Sequence, residues 1–325
     1  MRSSITRRLV NRGLLSIMTS TTFLNGAQAQ AWPTRPIRLI VPFPPGGGVD
    51  AVGRILAEPL AAALGQQVIV ENRAGAGGAI GVDSVAKSPP DGYAFSMVSA
   101  GNVTVGPLVR RTPYDPSLLG FVSMVCSSPL LMVARNTLEA RDLAGFLDLV
   151  QRQPDKIRFA SGGVGTATHL AGELMNLRLG TQMVHVPYRG TAPALTDLIA
   201  NNVDIFFSDS SAWPMVQQGQ FRLLGISSAA RWTTSPETPP IASLVRDFDI
   251  ANWYGVVAPP ETPLPIRERM AAEIARILAR KEVEEMLARI GFQPVPMAPA
   301  AFASFVRQEL ETWRAVVKAA NIPIE

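Results

Sequence analysis

Four stretches of this 325-residue chain combine residue types that can hold a small charged molecule. The first is Pro44-Pro45-Gly46-Gly47-Gly48-Val49-Asp50. Glycines let a ligand approach the backbone, and a helix N-capped by Asp50 offers unpaired N–H groups and a positive dipole end. The segment lacks the Gly-Lys-Ser/Thr of a P-loop and the glycine spacing of a dinucleotide fingerprint. It reads either as an anion site or as a tight turn with a cap. The second stretch, Ser161–His169, is a glycine loop feeding a helix, with Thr166, Thr168 and His169 near its start. Hydroxyls and backbone N–H groups there suit a carboxylate. His169 alone reads as structural, because no Gly-x-Ser-x-Gly elbow and no triad spacing accompanies it. In the third, Val186-Pro187-Tyr188-Arg189-Gly190-Thr191, Arg189 can pair with an anion bidentately or stay solvated. The fourth, Phe207-Ser208-Asp209-Ser210, ends a strand, where Asp209 can cap the next segment or hold a bridging water.

The elements that position these stretches follow from hydrophobic spacing. Ile37–Phe43 reads as a strand, then Val52, Ile55, Leu56, Leu60 and Leu64 mark a helix closed by Gly65, with Pro59 expected to kink it. Gln67–Val70 is the next strand, and a glycine-rich turn over 74–81 leads into a helix ending near Lys87 and the strand Tyr93–Val98. The middle repeats this grammar: strand Ile157–Ala160, helix Ala167–Leu179, strand Met183–Val186, helix Ala192–Ala200, strand Val203–Phe207. Amphipathic helices around Ile274, Leu287 and Trp313 close the chain. The polar glycine loops therefore sit at the C-terminal ends of strands in both halves, the edge where open α/β sheets bind ligands. Two such edges facing each other make a solute trap.

Composition excludes several other classes. With 47% hydrophobic and 17% charged residues, the chain is not mainly disordered. One cysteine, Cys126, forbids an internal disulfide, and two histidines argue against a metal centre. The formal charge of +4 comes from the N-terminus, where Arg2, Arg7, Arg8 and Arg12 stand without an acid. A mildly apolar run, Gly13–Gly26, and Ala27-Gln28-Ala29 follow, so residues 1–29 read as a signal peptide. Its removal leaves 26 bases against 26 acids. Arg7-Arg8 leaves twin-arginine export open beside the Sec route. The mature chain is expected to be soluble, periplasmic and monomeric. It should hold no cofactor, and its tryptophans stand apart from basic clusters, which speaks against nucleic acid.

From about Trp32 to Ile322 the sequence resembles the substrate-binding proteins of tripartite tricarboxylate transporters (TctC), also called Bug receptors. The motifs are Trp32-Pro33-Thr34-Arg35-Pro36-Ile37, Val41-Pro42-Phe43 running into the first glycine stretch, Val70-Glu71-Asn72-Arg73-Ala74-Gly75 and Pro90-Asp91-Gly92-Tyr93. They continue with Gly165-Thr166-Ala167-Thr168-His169-Leu170, His185-Val186-Pro187-Tyr188-Arg189-Gly190 and Trp253-Tyr254-Gly255-Val256. The resemblance implies an α/β, two-lobed Venus-flytrap fold, the type II-like periplasmic-binding-protein fold, with two chain crossings. Lobe one is expected at 32–130 plus 252–325 and lobe two at 131–251. A ligand carboxylate would be gripped in lobe one by the segment from Phe43 to Asp50, including Pro45, Gly47 and Gly48. In lobe two the grip falls on Gly165, Thr166, Thr168, His169, Tyr188, Arg189, Gly190, Thr191 and Asp209, and Ser99 and Asn102 complete the candidate set. Phe43 and Tyr188 would leave room for an aromatic ring. Asn201-Asn202 replaces a usual glycine, and Pro239–Ser243 lacks a usual glutamate. The implied partner is a membrane permease or a sensor. An exported α/β hydrolase or isomerase is the alternative, disfavoured by the missing nucleophile–base spacing.

Overall fold

The computed structural model describes residues 32–188 and 190–319, so the leader read at 1–29 and the candidate Arg189 lie outside the described residues. The chain begins with β1 (Ile37–Val41), α1 (Gly48–Leu64), β2 (Val68–Asn72), α2 (Ala79–Ala86), β3 (Ala94–Ser99), α3 (Gly106–Val109) and β4 (Gly120–Pro129). It continues through β5 (Leu131–Arg135), α4 (Leu143–Arg152), β6 (Arg158–Ser161), α5 (Ala167–Leu179), β7 (Val184–Pro187) and α6 (Thr191–Ile199). Next come β8 (Ile205–Ser208), α7 (Trp213–Gln217), β9 (Phe221–Ile226), β10 (Ala251–Ala258), α8 (Leu264–Leu278), α9 (Lys281–Arg289), β11 (Gln293–Pro294) and α10 (Pro299–Ala319).

Two mixed sheets result, with strand orders β11-β4-β10-β3-β1-β2 and β7-β6-β8-β5-β9. β1 lies parallel between β2 and β3, and β6 lies parallel between β7 and β8. Each is followed by a glycine loop and a helix, the strand–turn–helix unit expected of an α/β protein. The chain leaves the first sheet between Pro129 and Leu131 and returns to it at Ala251, which makes the two crossings. No helix among the described residues is long and apolar enough to cross a membrane.

Helix spacing explains the packing. Val52, Leu56, Leu60 and Leu64 of α1 are buried with Ile274 and Ile277 of α8 in a core that also holds the fully buried Cys126, whose thiol burial pushes up out of the reactive range. Gly65, at φ 67, closes α1 by donating its N–H to Ala61 O. α1 runs on through Pro59. Asn201 takes φ 61, the left-handed conformation that suits the glycine usual in the resembling proteins and that Asn tolerates better than most residues.

One correction concerns the start of α1. It begins at Gly48, with Gly47 as an extended N-cap that has no side chain to contribute, so Asp50 is not the cap. Asp50 stands at the third helical position, and its Oδ2 reaches back to accept from Gly46 N at 2.9 Å. The bond resembles the backward half of a capping box but takes the N–H of the residue before the N-cap.

α10 joins the cores of both sheets. Its Phe302 and Val306 pack with Phe121 and Trp253, while Trp313, Val316 and Val317 pack with Phe146, Phe159 and Leu170. Between them, Glu309 Oε2 accepts from Trp253 Nε1 at 2.7 Å and Thr104 Oγ1 at 3.0 Å. Burial raises its pKa to about 7 against the opposing pull of these hydrogen bonds. The folded protein therefore holds a proton that the unfolded chain gives up between its ordinary value of 4.5 and about 7. Glu309 supports the fold fully below the lower value, and that support is lost as pH rises through the upper one. Glu309→Gln should accordingly gain melting temperature relative to wild type as pH goes from 4.5 to 8. Parallel melting curves for the two proteins would refute this assignment.

Candidate functional site

The loops at the C-terminal ends of β1, β3, β6, β7 and β8 meet around one cavity of about 640 Å³. The start of α1 contributes Phe43, Pro45, Gly47, Gly48 and Val49, and the end of β3 contributes Ser99 and Gly101. From the second sheet come Gly162, Gly165, Thr166, Ala167 and Thr168 at the start of α5, Gly190, Thr191, Ala192 and Pro193 at the start of α6, and Asp209 after β8. Three helix N-termini thus face one space, each with backbone N–H groups that the helix itself leaves unpaired.

Local hydrogen bonds hold each loop. Asp50 is only 3% exposed, and its carboxylate takes Gly46 N at 2.9 Å, Asn72 Nδ2 at 2.9 Å and Arg54 Nε at 3.0 Å. Burial would raise its pKa, but Arg54, Gly46 and Asn72 outweigh that and hold it down to about 2. Asn72 Nδ2 also donates to Phe43 O at 3.0 Å, so both ends of the first glycine loop are tied to this one network. In the second loop, Thr166 is the N-cap of α5, accepting from His169 N at 3.3 Å and donating to Gly163 O at 2.7 Å. Thr168 Oγ1 accepts Gly162 N at 2.8 Å. At α6, Thr191 Oγ1 donates to Asp209 Oδ2 at 2.9 Å while Ser211 N donates to Oδ1 at 3.0 Å. Asp209 thereby places an acid beside the α6 N-terminus, whereas the acid in the first turn of α1, Asp50, is paired with Arg54.

A histidine pair lies behind the α5 loop. His169 and His185 stack with ring centroids 3.9 Å apart and planes 20° apart, with Phe159 stacked 4.9 Å from His185. His169 Nδ1 accepts Gly165 N at 3.2 Å, and His185 Nε2 bonds Ser161 Oγ at 2.6 Å. Burial, with the neighbouring His169, lowers the His185 pKa to about 4 against the pull of Glu173, so at neutral pH this ring is uncharged. His169, Glu173 and His185 bring possible metal-ligating atoms within 4.8 Å of one another, a grouping that the histidine count argued against. In this arrangement one ring nitrogen of each histidine is engaged by the loop, and near-parallel stacked planes do not converge on a common ion. Ser161 and His185 also have the separation of a nucleophile and its base. Ser161, however, has no exposed surface and does not line the cavity.

Of the candidates read from the sequence, Phe43, Pro45, Gly47, Gly48, Ser99, Gly165, Thr166, Thr168, Gly190, Thr191 and Asp209 line this cavity. Asp50, Asn102, His169 and Tyr188 do not, and each has a physical reason. Asp50 turns back into its loop. Asn102 is 2% exposed and uses Oδ1 to accept Ser99 N at 3.0 Å. His169 lies beneath the α5 loop. Tyr188 points its hydroxyl to Asp197 Oδ2 at 2.7 Å, and burial with that carboxylate raises its pKa to about 12. The cavity's tyrosine is instead Tyr254, on β10. Antiparallel pairing sets Tyr254 against Ser99, which brings a residue remote in sequence to the β3 end. Sequence reasoning also missed Asn252, Leu130, Gly77 and Arg110. Trp253-Tyr254-Gly255 stood among the resembling motifs without being assigned to the site, whereas Arg110 carried no local signal.

Comparison with known proteins bears on the family and the fold. Residues 52–322 match the family model described as tripartite tricarboxylate transporter family receptor, TctC. A protein from the tcbD-tcbE intergenic region of Pseudomonas sp. (strain P51) is 38% identical over 320 residues, covering 97% of this chain and 95% of that one. The solved periplasmic binding protein BugD is 31% identical at a TM-score of 0.77, covering 90% of this chain and 99% of that one. R. palustris Rpa4515, solved with adipate, is 31% identical at a TM-score of 0.81, with coverage of 90% and 99%. With such a match over most of its length, in a two-lobed fold whose loops converge on one cavity, the chain belongs to the TctC family of tripartite tricarboxylate transporter receptors.

Proposed function

We propose that this chain is a periplasmic receptor that captures a small organic carboxylate and delivers it to a tripartite tricarboxylate-type membrane permease or to a sensor. Residues 1–29 would direct its export. The lobes would be 32–130 with 252–325, and 131–251, closing on the ligand between them. The observation that carries this reading is the convergence of the α1 and α5 N-termini on one cavity lined by glycine backbone and threonine hydroxyls. Such ends favour an anion without supplying a nucleophile or base to transform it. The buried Ser161–His185 pair, set outside the cavity lining, gives the enzymatic alternative no accessible nucleophile. The adipate held by the R. palustris relative fits the same chemistry.

A ligand that binds only the folded chain stabilises it by RT ln(1 + [L]/Kd), about 2.7 kcal/mol at a hundredfold excess over Kd. A melting panel of mono-, di- and tricarboxylates, aliphatic and aromatic, should therefore contain clear shifts. Solution scattering with the same ligands should show compaction, because closure requires the ligand to favour the closed form. If sugars, cations or peptides shift melting and no carboxylate does, the anion reading fails. Shifts without compaction would remove the closing mechanism.

A further inference from the structure

We infer that Arg110 sets the ligand specificity of this cavity by taking a second anionic group on the ligand, at a position distinct from the α1 N-terminus. The inference rests on the carboxylate-receptor reading and deepens it.

Among the described residues lining the cavity, Arg110 is the only cation. It follows the short α3 and is half-buried. None of the ion pairs or side-chain hydrogen bonds among the described residues involves its guanidinium. A guanidinium carries five donors in a planar fork matched to a carboxylate, so one held in a cavity wall without an anion is incomplete.

Its place is cut out by glycines. A Cβ on Gly77 would stand 2.9 Å from Arg110 Cζ, one on Gly106 would stand 3.5 Å from Nε, and one on Gly165 would stand 3.8 Å from Nη2. Gly77 also takes φ 64, a conformation that side-chain-bearing residues rarely adopt. The side chain is thus seated between the turn before α2 and the loop before α5. Next to it, the buried Asn102 Nδ2 has no hydrogen-bond partner among the described residues and lies 2.8 Å from the Cβ position of Gly78. Two sets of unpaired N–H donors therefore flank the Gly77–Gly78 turn. That wall adjoins the α5 loop and stands apart from the α1 turn: nothing of Arg110 comes within 4 Å of a Cβ placed on Gly46 or Gly47. With about 640 Å³ available, a chain several carbons long can place one carboxylate at the α1 N-terminus and another at Arg110.

The test compares adipate with hexanoate, the same six-carbon chain with one carboxylate removed. Calorimetric titration would use wild type, Arg110→Gln and Arg110→Lys, each first checked for an unchanged melting temperature. Wild type should bind adipate at least tenfold more tightly than hexanoate. Arg110→Gln should bring that preference within about threefold while leaving hexanoate binding unchanged, and Arg110→Lys should keep part of it by restoring charge without the fork. Equal loss for both ligands in Arg110→Gln would mean that Arg110 holds the shared carboxylate, which overturns the two-anion assignment. An unchanged preference, or a wild type that favours hexanoate, overturns it as well. If neither ligand binds and the melting panel finds no carboxylate at all, the receptor reading itself has failed.

Discussion

Asp50→Ala is expected to lower the unfolding free energy by about 1–2 kcal/mol, because it removes the one buried acceptor that three donors share. Gly46 N, Asn72 Nδ2 and Arg54 Nε all converge on this one carboxylate, which is 3% exposed. The same change should weaken carboxylate binding at least tenfold, since Asn72 also holds Phe43 O and the whole 43–48 loop relaxes with it. Asp50→Asn should not rescue either effect. Its amide N–H₂ would face one of the donors that the carboxylate now accepts, whereas a simple N-cap would have tolerated asparagine well. The pH dependence follows from the depressed pKa. The contribution of Asp50 is present above its ordinary value near 3.8 and is lost as pH falls through about 2. Denaturant titration and calorimetry on the three proteins check this, using a carboxylate that shifts wild-type melting. Wild-type-like stability and affinity in Asp50→Asn would show that the carboxylate's second acceptor and charge do not hold the loop.

The contrast between Asp50 and Arg110 marks what the sequence could convey. Glycine loops after apolar strands are local features, so the start of α5 was legible from neighbouring residues, that of α6 fell one residue early at Thr191, and α1 begins at Gly48 rather than after Asp50. The bounds of α5, Ala167–Leu179, follow directly from the Thr166 cap and the Gly180 stop. What local pattern left undetermined was the direction of individual side chains. Asp50 and Gly47 both suit a helix start, and a glycine without a side chain let the helix begin earlier, turning the aspartate back into the loop. Tyr188 and Tyr254 illustrate the long-range case. Tyr188 sits in a polar turn where a ligand role was plausible, but Asp197, one helix onward, captures its hydroxyl. Tyr254 reaches the cavity only because β10 returns from the second crossing to pair with β3, a contact that no window of sequence contains. Arg110 is positioned by three glycines, at 77, 106 and 165, that are distant from one another in the chain.

Gly48→Ala should weaken binding by more than it lowers stability. Gly48 is the first residue of α1 and lines the cavity, and a Cβ there would lie 2.7 Å from Tyr254 Oη and 3.4 Å from Cε2 and Cζ. Tyr254 has little room to retreat. It is 6% exposed, packs its ring 4.7 Å from Phe292, and is fixed in β10 between β3 and β4. The added methyl must therefore tilt the phenol into the cavity or push back the start of α1, whose first residues line it. Overpacking of this kind costs about 1–3 kcal/mol, partly offset by the better helix propensity of alanine. Affinity should fall further than stability, because both available movements act on the cavity. The compensating change is Tyr254→Phe, which removes the oxygen at 2.7 Å and leaves only ordinary contacts at 3.4 Å. In the double variant, stability and carboxylate affinity should recover well beyond the sum of the two single effects, a coupling that calorimetry and denaturant titration measure directly. Strictly additive effects would show that the Gly48 backbone and the Tyr254 hydroxyl do not share one space, and that the glycine at the head of α1 serves the turn alone.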